Sequence, residues 1–270
     1  YYKPTNKNPT SLASNTEKIS SFGLLKKHAM KTININRLCF LLIIWICSSL
    51  LSIAQNPRRL LVEKIHGTSS AKAVPALLDK EGVKWHSISV ANWPSYPYKP
   101  DVQFRIAHTG KSILLQYKVK EDGIRAMTGK DFGSVWRDSC VEFFVAPDGD
   151  SCYYNIECNC IGYILIEYGT ADKRSRAEQK VANMIKRWSS LGHSVFDTRN
   201  EETEWTASLI IPAKALFKHN IKKLDGIKMR GNFYKCGNQL PKPHFLSWNP
   251  ILTDKVQFHC PEFFGELDFE

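Results

Sequence analysis

Residues 135–144 combine the side-chain types that could recognise a polar ligand. The stretch reads VWRDSCVEFF, so an indole at Trp136 is followed six residues later by the carboxylate of Glu142. An indole offers a flat apolar face, and a carboxylate accepts hydrogen bonds from hydroxyl groups. In a strand that starts at Ser139, Glu142 shares a face with Cys140 and Phe144. Because an unpaired carboxylate is costly among apolar neighbours, Glu142 is interpreted as a salt-bridge partner at a sheet edge or as an acceptor for ligand hydroxyls.

A second aromatic-rich region covers residues 232–265. It contains the stretches NFYKCG, PHFLSWNP and FHCPEFFG, in which aromatic residues follow no strand alternation and prolines bound them. Sugar rings stack their C–H faces on flat aromatic groups, and their hydroxyls need fixed polar partners. Trp136 and Trp248 both stand beside Asn, Asp or Arg and could supply both kinds of contact. Composition alone favours the other interpretation, in which these aromatics close the ends of a β-sandwich.

Most of the chain after residue 100 shows the period-two pattern of half-buried strands. A hairpin is predicted from Val102–Ile106 and Ile113–Val119, with a turn at residues 108–111. Further strands are predicted at residues 141–145, 153–168 with a break at Gly162, 204–212, 228–234 and 266–270. Three prolines make residues 85–100 an extended loop, and only residues 171–187 and 213–219 have helical character. Many short strands and few helices predict an all-β fold, a β-sandwich with one or two short helices.

The first 54 residues have the pattern of a targeting segment. Lys31 and Arg37 precede the apolar run 38–47, and the run is followed by the small-x-small site Ser52-Ile53-Ala54. This order predicts a signal peptide over residues 30–54. The run is shorter than the ~20 residues that span a bilayer, which disfavours a retained anchor. We therefore expect an exported protein, periplasmic, cell-surface or extracellular, without an integral membrane segment after cleavage.

The predicted targeting segment divides the rest of the chain into three ranges. Residues 1–29 are polar and aperiodic, which is typical of an upstream extension from a wrongly chosen start codon or of a disordered leader. Residues 55–74 are predicted to be a lead-in segment, and residues 75–270 the β-sandwich.

Charge and cysteine content narrow the functional classes. Residues 1–54 contain seven of the 37 Lys and Arg residues and only one of the 26 Asp and Glu residues. The rest has 30 basic and 25 acidic residues, a net charge of +5 that argues against a nucleic-acid partner. Six of the eight cysteines remain, at positions 140, 152, 158, 160, 236 and 260. An exported protein could form one or two bridges from them, although buried free thiols are equally compatible with a domain of this size.

The stretch WRDSCVEFF, together with Tyr154-Asn155-Ile156-Glu157 and Trp248-Asn249-Pro250, resembles the family 9 carbohydrate-binding modules. The chain is similar in particular to exported family-9-like proteins of gut Bacteroidetes. The likeness covers roughly residues 75–270, and the Trp-x-Asp-Ser-x-Val-Glu pattern is fairly specific. It implies a jelly-roll-like, DOMON-like β-sandwich, in agreement with the strand pattern. The cysteine-rich stretch Cys152–Cys160 departs from the typical modules, so no sugar specificity can be transferred.

The resemblance also implies a binding site. In family 9 modules two tryptophans clamp a terminal sugar and polar side chains bind its hydroxyls. Trp136 matches the first tryptophan and Glu142 a hydroxyl-binding carboxylate, while Trp248 is a looser match to the second tryptophan. The predicted carbohydrate-binding residues are Trp136, Arg137, Asp138, Glu142, Asn155, Trp248 and Asn249. Six extended residues span ~20 Å, so Trp136 and Glu142 can reach one sugar only if the loop around residues 129–133 folds back.

The expected partner is therefore an oligo- or polysaccharide, bound during polysaccharide capture or carbohydrate catabolism. Glycan-degrading enzymes are further expected partners. No cofactor is required for that role. The resemblance allows a structural calcium ion, for which Asp148 and Asp150 on a turn would suit a hard cation. A zinc site from Cys236, His244, His259 and Cys260 is disfavoured, since their spacing forms no paired knuckles.

Two other functional classes were weighed against binding. A glycoside hydrolase, acting on O-glycosyl bonds, needs a general acid and a second carboxylate, for which Glu142 and Glu157 are available. No nucleophile elbow or phosphate loop appears, so catalysis is the less favoured interpretation. A haem-binding sandwich would need axial ligands such as Met184 and His244, and their spacing does not support one.

Overall fold

Fourteen β-strands form most of the fold in the computed structural model, which describes residues 57–147 and 149–270. The first seven are β1 (Arg59–Lys64), β2 (His86–Ser87), β3 (Val90–Ala91), β4 (Asp101–His108), β5 (Ser112–Ala126), β6 (Cys140–Pro147) and β7 (Tyr153–Asn159). The others are β8 (Ile164–Gly169), β9 (Arg174–Arg176), β10 (Lys186–Ser189), β11 (Phe196–Pro212), β12 (Lys228–Cys236), β13 (Phe245–Ser247) and β14 (Gly265–Phe269). The all-β prediction is confirmed.

Helical segments are short. The two α-helices of the described residues are α1 (Val74–Lys80) and α2 (Gln179–Ala182). Single 3-10 turns lie at Ala71–Ala73, Val135–Arg137, Ala213–Ala215 and Pro261–Phe263. Within the described ranges, none of the helices is long and apolar enough to cross a membrane.

The strands are arranged in two layers that share one strand. The first layer has the order β10-β11-β5-β4, with β2 on the outer edge of β4. The second has the order β14-β12-β6-β7-β8-β9, and β13 and β3 extend it from β12. β1 pairs in parallel with β14 through its first four residues and with β4 through its last two. The sheet therefore passes continuously from one layer to the other.

The main core lies between the two layers. Phe104 of the first layer stacks on Phe233 of the second with ring centroids 3.7 Å apart, and Phe233 stacks in turn on Phe143. The Tyr117 hydroxyl donates a 3.0 Å hydrogen bond across the layers to the Glu142 carbonyl oxygen. This face-to-face packing is that of a β-sandwich.

Strand β6 shows how alternation distributes side chains between the two faces. Val141, Phe143 and Val145 point into the main core. Cys140 and Phe144 belong to a second apolar cluster on the opposite face, which we call the outer face of the second layer. The predicted alternation is confirmed here, and it directs Glu142 to the outer face.

The predicted hairpin, the break at Gly162 and the helical turn after Pro212 are all confirmed. The helix predicted over residues 171–187 is wrong for most of its length. Only α2, one turn long, is helical, while β9 and β10 occupy both ends. The physical reason is pairing: β9 adds to the edge of β8, where Arg174 and Arg176 lie beside Glu167.

The lead-in segment is more structured than the sequence indicated, because β1 within residues 55–74 pairs with both layers. The six cysteines of the described residues are all free thiols. The predicted extension over residues 1–29 and the predicted signal peptide over residues 30–54 lie outside the described residues.

Candidate functional site

A cavity of about 250 Å³ opens on the outer face of the second layer. Strands β6, β7, β8, β9, β12 and β13 contribute to it, together with the turn before β6 and the segment after β13. Its walls are aromatic and its floor is acidic. The lining residues are Trp136, Glu142, Glu157, Leu165, Glu167, Arg174, Cys236, Asn238, Phe245, Val256, Gln257, Phe258 and His259.

Trp136 reaches the cavity because the chain folds back immediately before β6. Phe132 has a φ of 61°, a left-handed conformation that is unusual for a bulky side chain and redirects the chain. The 3-10 turn Val135–Arg137 then carries the half-buried indole, and its backbone carbonyl accepts a 3.3 Å hydrogen bond from the Cys236 thiol. Trp136 and Glu142 therefore line one cavity, as the expected fold-back requires.

Asp138 holds this turn in place and lies outside the lining. It is fully buried and accepts hydrogen bonds from the backbone N–H groups of Met127 and Thr128 at 3.0 and 2.9 Å. The Asn159 amide donates a further 3.0 Å hydrogen bond. Arg137 is exposed and also lies outside the lining. Of these two predicted contacts, the structure gives Asp138 a supporting position and places Arg137 at the surface.

Two carboxylates form the cavity floor. Glu142 and Glu157 are register partners on β6 and β7, and they are 3% and 4% exposed. One oxygen of each lies within 4.8 Å of the other and of the Cys140 sulfur. Asn155, predicted to contact the ligand, is fully buried and donates its side-chain amide to Glu157 Oε1 at 3.0 Å. Asn155 therefore orients a floor residue and does not line the cavity.

Burial and repulsion between neighbouring carboxylates govern the protonation of this pair. Burial raises the pKa of Glu142 well above its usual value, and the neighbouring Glu157 raises it further. Burial likewise raises the pKa of Glu157 to about 7, against the hydrogen bond from Asn155, which favours the charged form. Near neutral pH the floor therefore holds a carboxylic acid beside a carboxylate, so it offers both a donor and acceptors.

The second aromatic wall comes from residues that the sequence analysis did not select. Phe245 on β13 is half-buried and packs edge-on against Tyr96, with centroids 4.8 Å apart. Phe258 stacks on Tyr234 at 4.3 Å. Trp93 packs against both phenylalanines, and its indole N–H donates to the Thr253 carbonyl oxygen at 2.9 Å. These contacts fix the orientation of the wall.

Trp248, predicted to be the second clamping residue, lies in the main core. It is 4% exposed and packs edge-on against Phe104 and Phe233, away from the cavity lining. Strand alternation explains the difference: Leu246 on β13 and Trp248, the residue after β13, point inward, and Phe245 points outward. That parity was readable in the sequence once a strand was recognised at residues 245–247.

Asn249 has a structural position as well. Its side-chain oxygen accepts a 2.9 Å hydrogen bond from the Arg58 backbone N–H, and its amide donates to the Phe263 carbonyl oxygen at 2.8 Å. Its own backbone N–H donates to Asn232 at 2.8 Å. Asn249 thus connects the chain after β13 to β12 and lies outside the cavity lining.

The cavity rim carries an ion pair and a histidine. Arg174 Nε lies 3.4 Å from Glu167 Oε2, and the Arg174 guanidinium also donates to the carbonyl oxygens of Thr170 and Ala171. His259 Nδ1 is 2.8 Å from the Tyr153 hydroxyl. Burial, with the nearby Arg174, lowers the pKa of His259 to about 3, so this imidazole is neutral at physiological pH.

The candidate cation ligands are dispersed. Asp150 accepts hydrogen bonds from the Cys152 N–H and the Tyr168 hydroxyl and pairs with His219 at 3.1 Å, and Asp148 lies outside the described residues. The four residues weighed for zinc have separate partners: Trp136 for Cys236, Glu121 for His244, Tyr153 for His259 and Gln257 for Cys260. A structural calcium ion stays a prediction.

A β-sandwich with an aromatic-walled, carboxylate-floored cavity on an outer face has the features of a saccharide-binding module. The sequence profile of carbohydrate-binding family 9 matches residues 72–269. Because this match covers well over half of the chain, the protein belongs to carbohydrate-binding family 9. No curated protein matches the sequence.

The solved structures similar to this chain include the following two. A candidate carbohydrate-binding protein from Bacteroides uniformis is 51% identical, with a TM-score of 0.78 over 80% of this chain and 100% of that chain. A family 9 module from Caldicellulosiruptor kristjanssonii, solved with glucose, is 11% identical, with a TM-score of 0.54 over 79% of this chain and 96% of its own. The second similarity concerns the fold alone.

Proposed function

We propose that this protein binds a saccharide in the cavity on the outer face of the second layer, with its ring against Trp136 and Phe245. The observation that carries the proposal is that the Trp136 indole and the buried Glu142 line a single cavity of about 250 Å³. Stacking on the two half-buried aromatic rings would remove the apolar C–H face of a sugar from water. Glu142 and Glu157 would accept and donate hydrogen bonds to its hydroxyls.

Similarity to known proteins supports this proposal. The Bacteroides uniformis relative is described as a candidate carbohydrate-binding protein, and the Caldicellulosiruptor kristjanssonii module binds glucose. The small volume of the cavity suits one sugar unit at the end of a chain.

The wider role we propose is export and polysaccharide capture, beside glycan-degrading enzymes in carbohydrate catabolism. It is supported by family membership and by the targeting pattern of residues 30–54. Detection of the processed protein in the periplasm, on the cell surface or in the medium would test the export component. A cytoplasmic, unprocessed protein would contradict it.

Hydrolysis of an O-glycosyl bond is a second candidate, favoured by the proximity of Glu142 and Glu157. Their oxygens lie within 4.8 Å of each other, and the carboxylates of retaining hydrolases are about 5–5.5 Å apart. The two side chains lie side by side on neighbouring strands, so they approach a sugar from the same side. A hydrolase pair must instead flank the scissile bond, which makes binding the better supported function.

Calorimetric titration with a panel of neutral and charged mono- and oligosaccharides tests the binding proposal. Trp136→Ala and Phe245→Ala should each weaken binding about tenfold, because each removes one stacking surface. The matched controls are Trp85→Ala and Phe217→Ala. Both rings are half-buried and lie outside the cavity: Trp85 packs against the Arg105 guanidinium, and Phe217 packs on Tyr154. Both controls should bind like the wild type.

Two outcomes would change the assignment. Binding that is unaffected by Trp136→Ala and Phe245→Ala in folded protein, or the absence of binding across the panel, would contradict the proposed site. Release of reducing ends from an oligosaccharide, lost in Glu157→Gln, would favour the hydrolase instead.

A further inference from the structure

The acidic floor of the cavity lacks a charge partner in the described part of the chain. Glu157 Oε2 is buried and has no hydrogen-bond partner there, although Oε1 accepts from Asn155. Glu142, its register partner, is equally buried. Removing two carboxylates from water is expensive unless cations or hydrogen-bond donors compensate them. This unpartnered oxygen belongs to a residue that lines the cavity.

The surrounding elements carry few positive charges, and those are engaged elsewhere. The titratable groups that face the pair are Cys140 on β6, Tyr234 and Cys236 on β12, Glu167 on β8, Arg174 on β9 and His259 after β13. Arg174 is held by Glu167 and by two backbone carbonyls at the rim. His259 is neutral at physiological pH.

The remaining nearby cation, Lys235, points to the other side of the second layer. Its ammonium lies 2.8 Å from Glu121 Oε2 in the main core and donates to the Cys236 carbonyl oxygen. Three carboxyl groups therefore line the cavity, at Glu142, Glu157 and Glu167, against the single guanidinium of Arg174, which is already paired with Glu167. Even with one of the floor pair protonated, the other keeps a negative charge that no ion pair compensates. Such a cavity repels uronic acids and sulfated sugars and attracts a cation.

From this charge pattern we infer that the preferred saccharide carries a free, protonated amine. An amino sugar such as glucosamine would place its ammonium between Glu142 and Glu157 while its ring stacks on Trp136. An ammonium group has three donors, and charge-assisted hydrogen bonds are about twice as strong as neutral ones. N-acetylation removes the charge and adds bulk, and a neutral hexose offers hydroxyls only. The inference rests on the proposed function, since it names the saccharide class of the same cavity.

Calorimetry at pH 7 with glucosamine, its short β-1,4 oligomers, N-acetylglucosamine and glucose tests the inference. EDTA in every solution prevents metal ions from occupying the floor. Glucosamine should bind about tenfold or more tightly than N-acetylglucosamine or glucose, because it makes charge-assisted hydrogen bonds. Its binding should weaken at pH 5, where Glu157 is protonated, because the floor then carries less negative charge.

A pair of matched variants separates charge from shape. Glu157→Gln keeps the side-chain volume, so it should weaken glucosamine binding about tenfold and leave glucose binding within about twofold. The control is Glu204→Gln, because the Glu204 carboxylate is exposed and paired with Lys118 on the first layer. This variant should change neither glucosamine binding nor glucose binding. If the neutral sugars bind as tightly as glucosamine, or if Glu157→Gln affects both equally, the inference is wrong and the proposed function stands. If no saccharide binds, both are wrong.

Discussion

Two buried acidic sites on opposite sides of the second layer show how environment decides the role of a carboxylate. In the main core, Glu121 lies 2.8 Å from the Lys235 ammonium and accepts a 2.7 Å hydrogen bond from the Trp205 indole. On the outer face, Glu142 and Glu157 lie beside each other, and neither forms an ion pair with a cation of the described residues. All three carboxylates are almost completely buried. They differ only in what compensates their charge.

The pKa values follow this difference in opposite directions. Burial alone would raise the pKa of Glu121, but the Lys235 ammonium and the His244 imidazole outweigh it and hold the pKa at about 2. Burial raises the pKa of Glu157 to about 7 because its neighbours provide too little compensation. The first site has its cation within the protein, at ion-pair distance, which is typical of a structural ion pair. The second is incomplete without a proton or a ligand, which is typical of a binding site.

Removing Lys235 should produce the largest effect. Lys235→Met leaves Glu121 buried without its cation, and breaking a buried pair in this way destabilises a protein by about 3–5 kcal/mol. The free energy of unfolding in urea measures the loss. Lys242→Met is the matched control, because its ion pair with Asp122 is about half-exposed and should contribute less than about 1 kcal/mol. Equal losses in the two variants would mean that Glu121 is solvated or otherwise compensated.

The Glu121 site should also determine part of the acid sensitivity. Its folded pKa of about 2 lies below the ordinary value of 4.5, so the unfolded chain binds more protons between these values. Stability is therefore present above about pH 4.5 and falls as pH drops towards 2, by about 2–3 kcal/mol from this group. The free energy of unfolding, measured across this pH range, should change less steeply with pH in Glu121→Gln than in the wild type. That variant should nevertheless be less stable at every pH. Identical slopes would contradict the assignment.

The floor pair should have the opposite pH dependence. The folded pKa of Glu157, about 7, lies above 4.5, so the folded state binds more protons between these values. Its contribution to stability is therefore present below about pH 4.5 and is lost as pH rises to 7, by about 3 kcal/mol. In Glu157→Gln the free energy of unfolding should fall less between pH 4.5 and 7, and the variant should be more stable than the wild type at pH 8. A Glu157→Gln protein that loses stability at pH 8 would show that the floor is already compensated.

The faces of these strands could be predicted from the sequence, but the pairing of the strands could not. Alternation from Ser139 correctly placed Glu142 opposite the core-facing Val141 and Phe143. Nothing in a single sequence reveals that Glu142 lies beside Glu157, because register depends on contacts between strands. The acid pair was therefore available as two separate residues and not as a site.

Trp248 and Lys235 illustrate two different limits of reasoning from a single sequence. Trp248 was selected for its type, and strand parity shows that it belongs to the core with Leu246, whereas Phe245 faces the cavity. Lys235 stands in β12 between Tyr234 and Cys236, and its inward direction follows from alternation. That a lysine could be fully buried there depends on Glu121, which is 114 positions away in the sequence. Tertiary pairing of this kind leaves no local pattern.

The smallest effect concerns the hydrogen bond that keeps part of the floor charged. Asn155 donates to Glu157 at 3.0 Å, and a donor to a carboxylate lowers its pKa by favouring the ionised form. Asn155→Leu should therefore raise the pKa of Glu157 by about one unit, as followed by carbon-13 titration of the side-chain carboxyl. Asn238→Leu, on the exposed rim, should leave it unchanged. An unchanged pKa in Asn155→Leu would mean that burial and repulsion alone set the protonation of the floor. Asn155 would then have no part in distinguishing the floor from the Lys235 site.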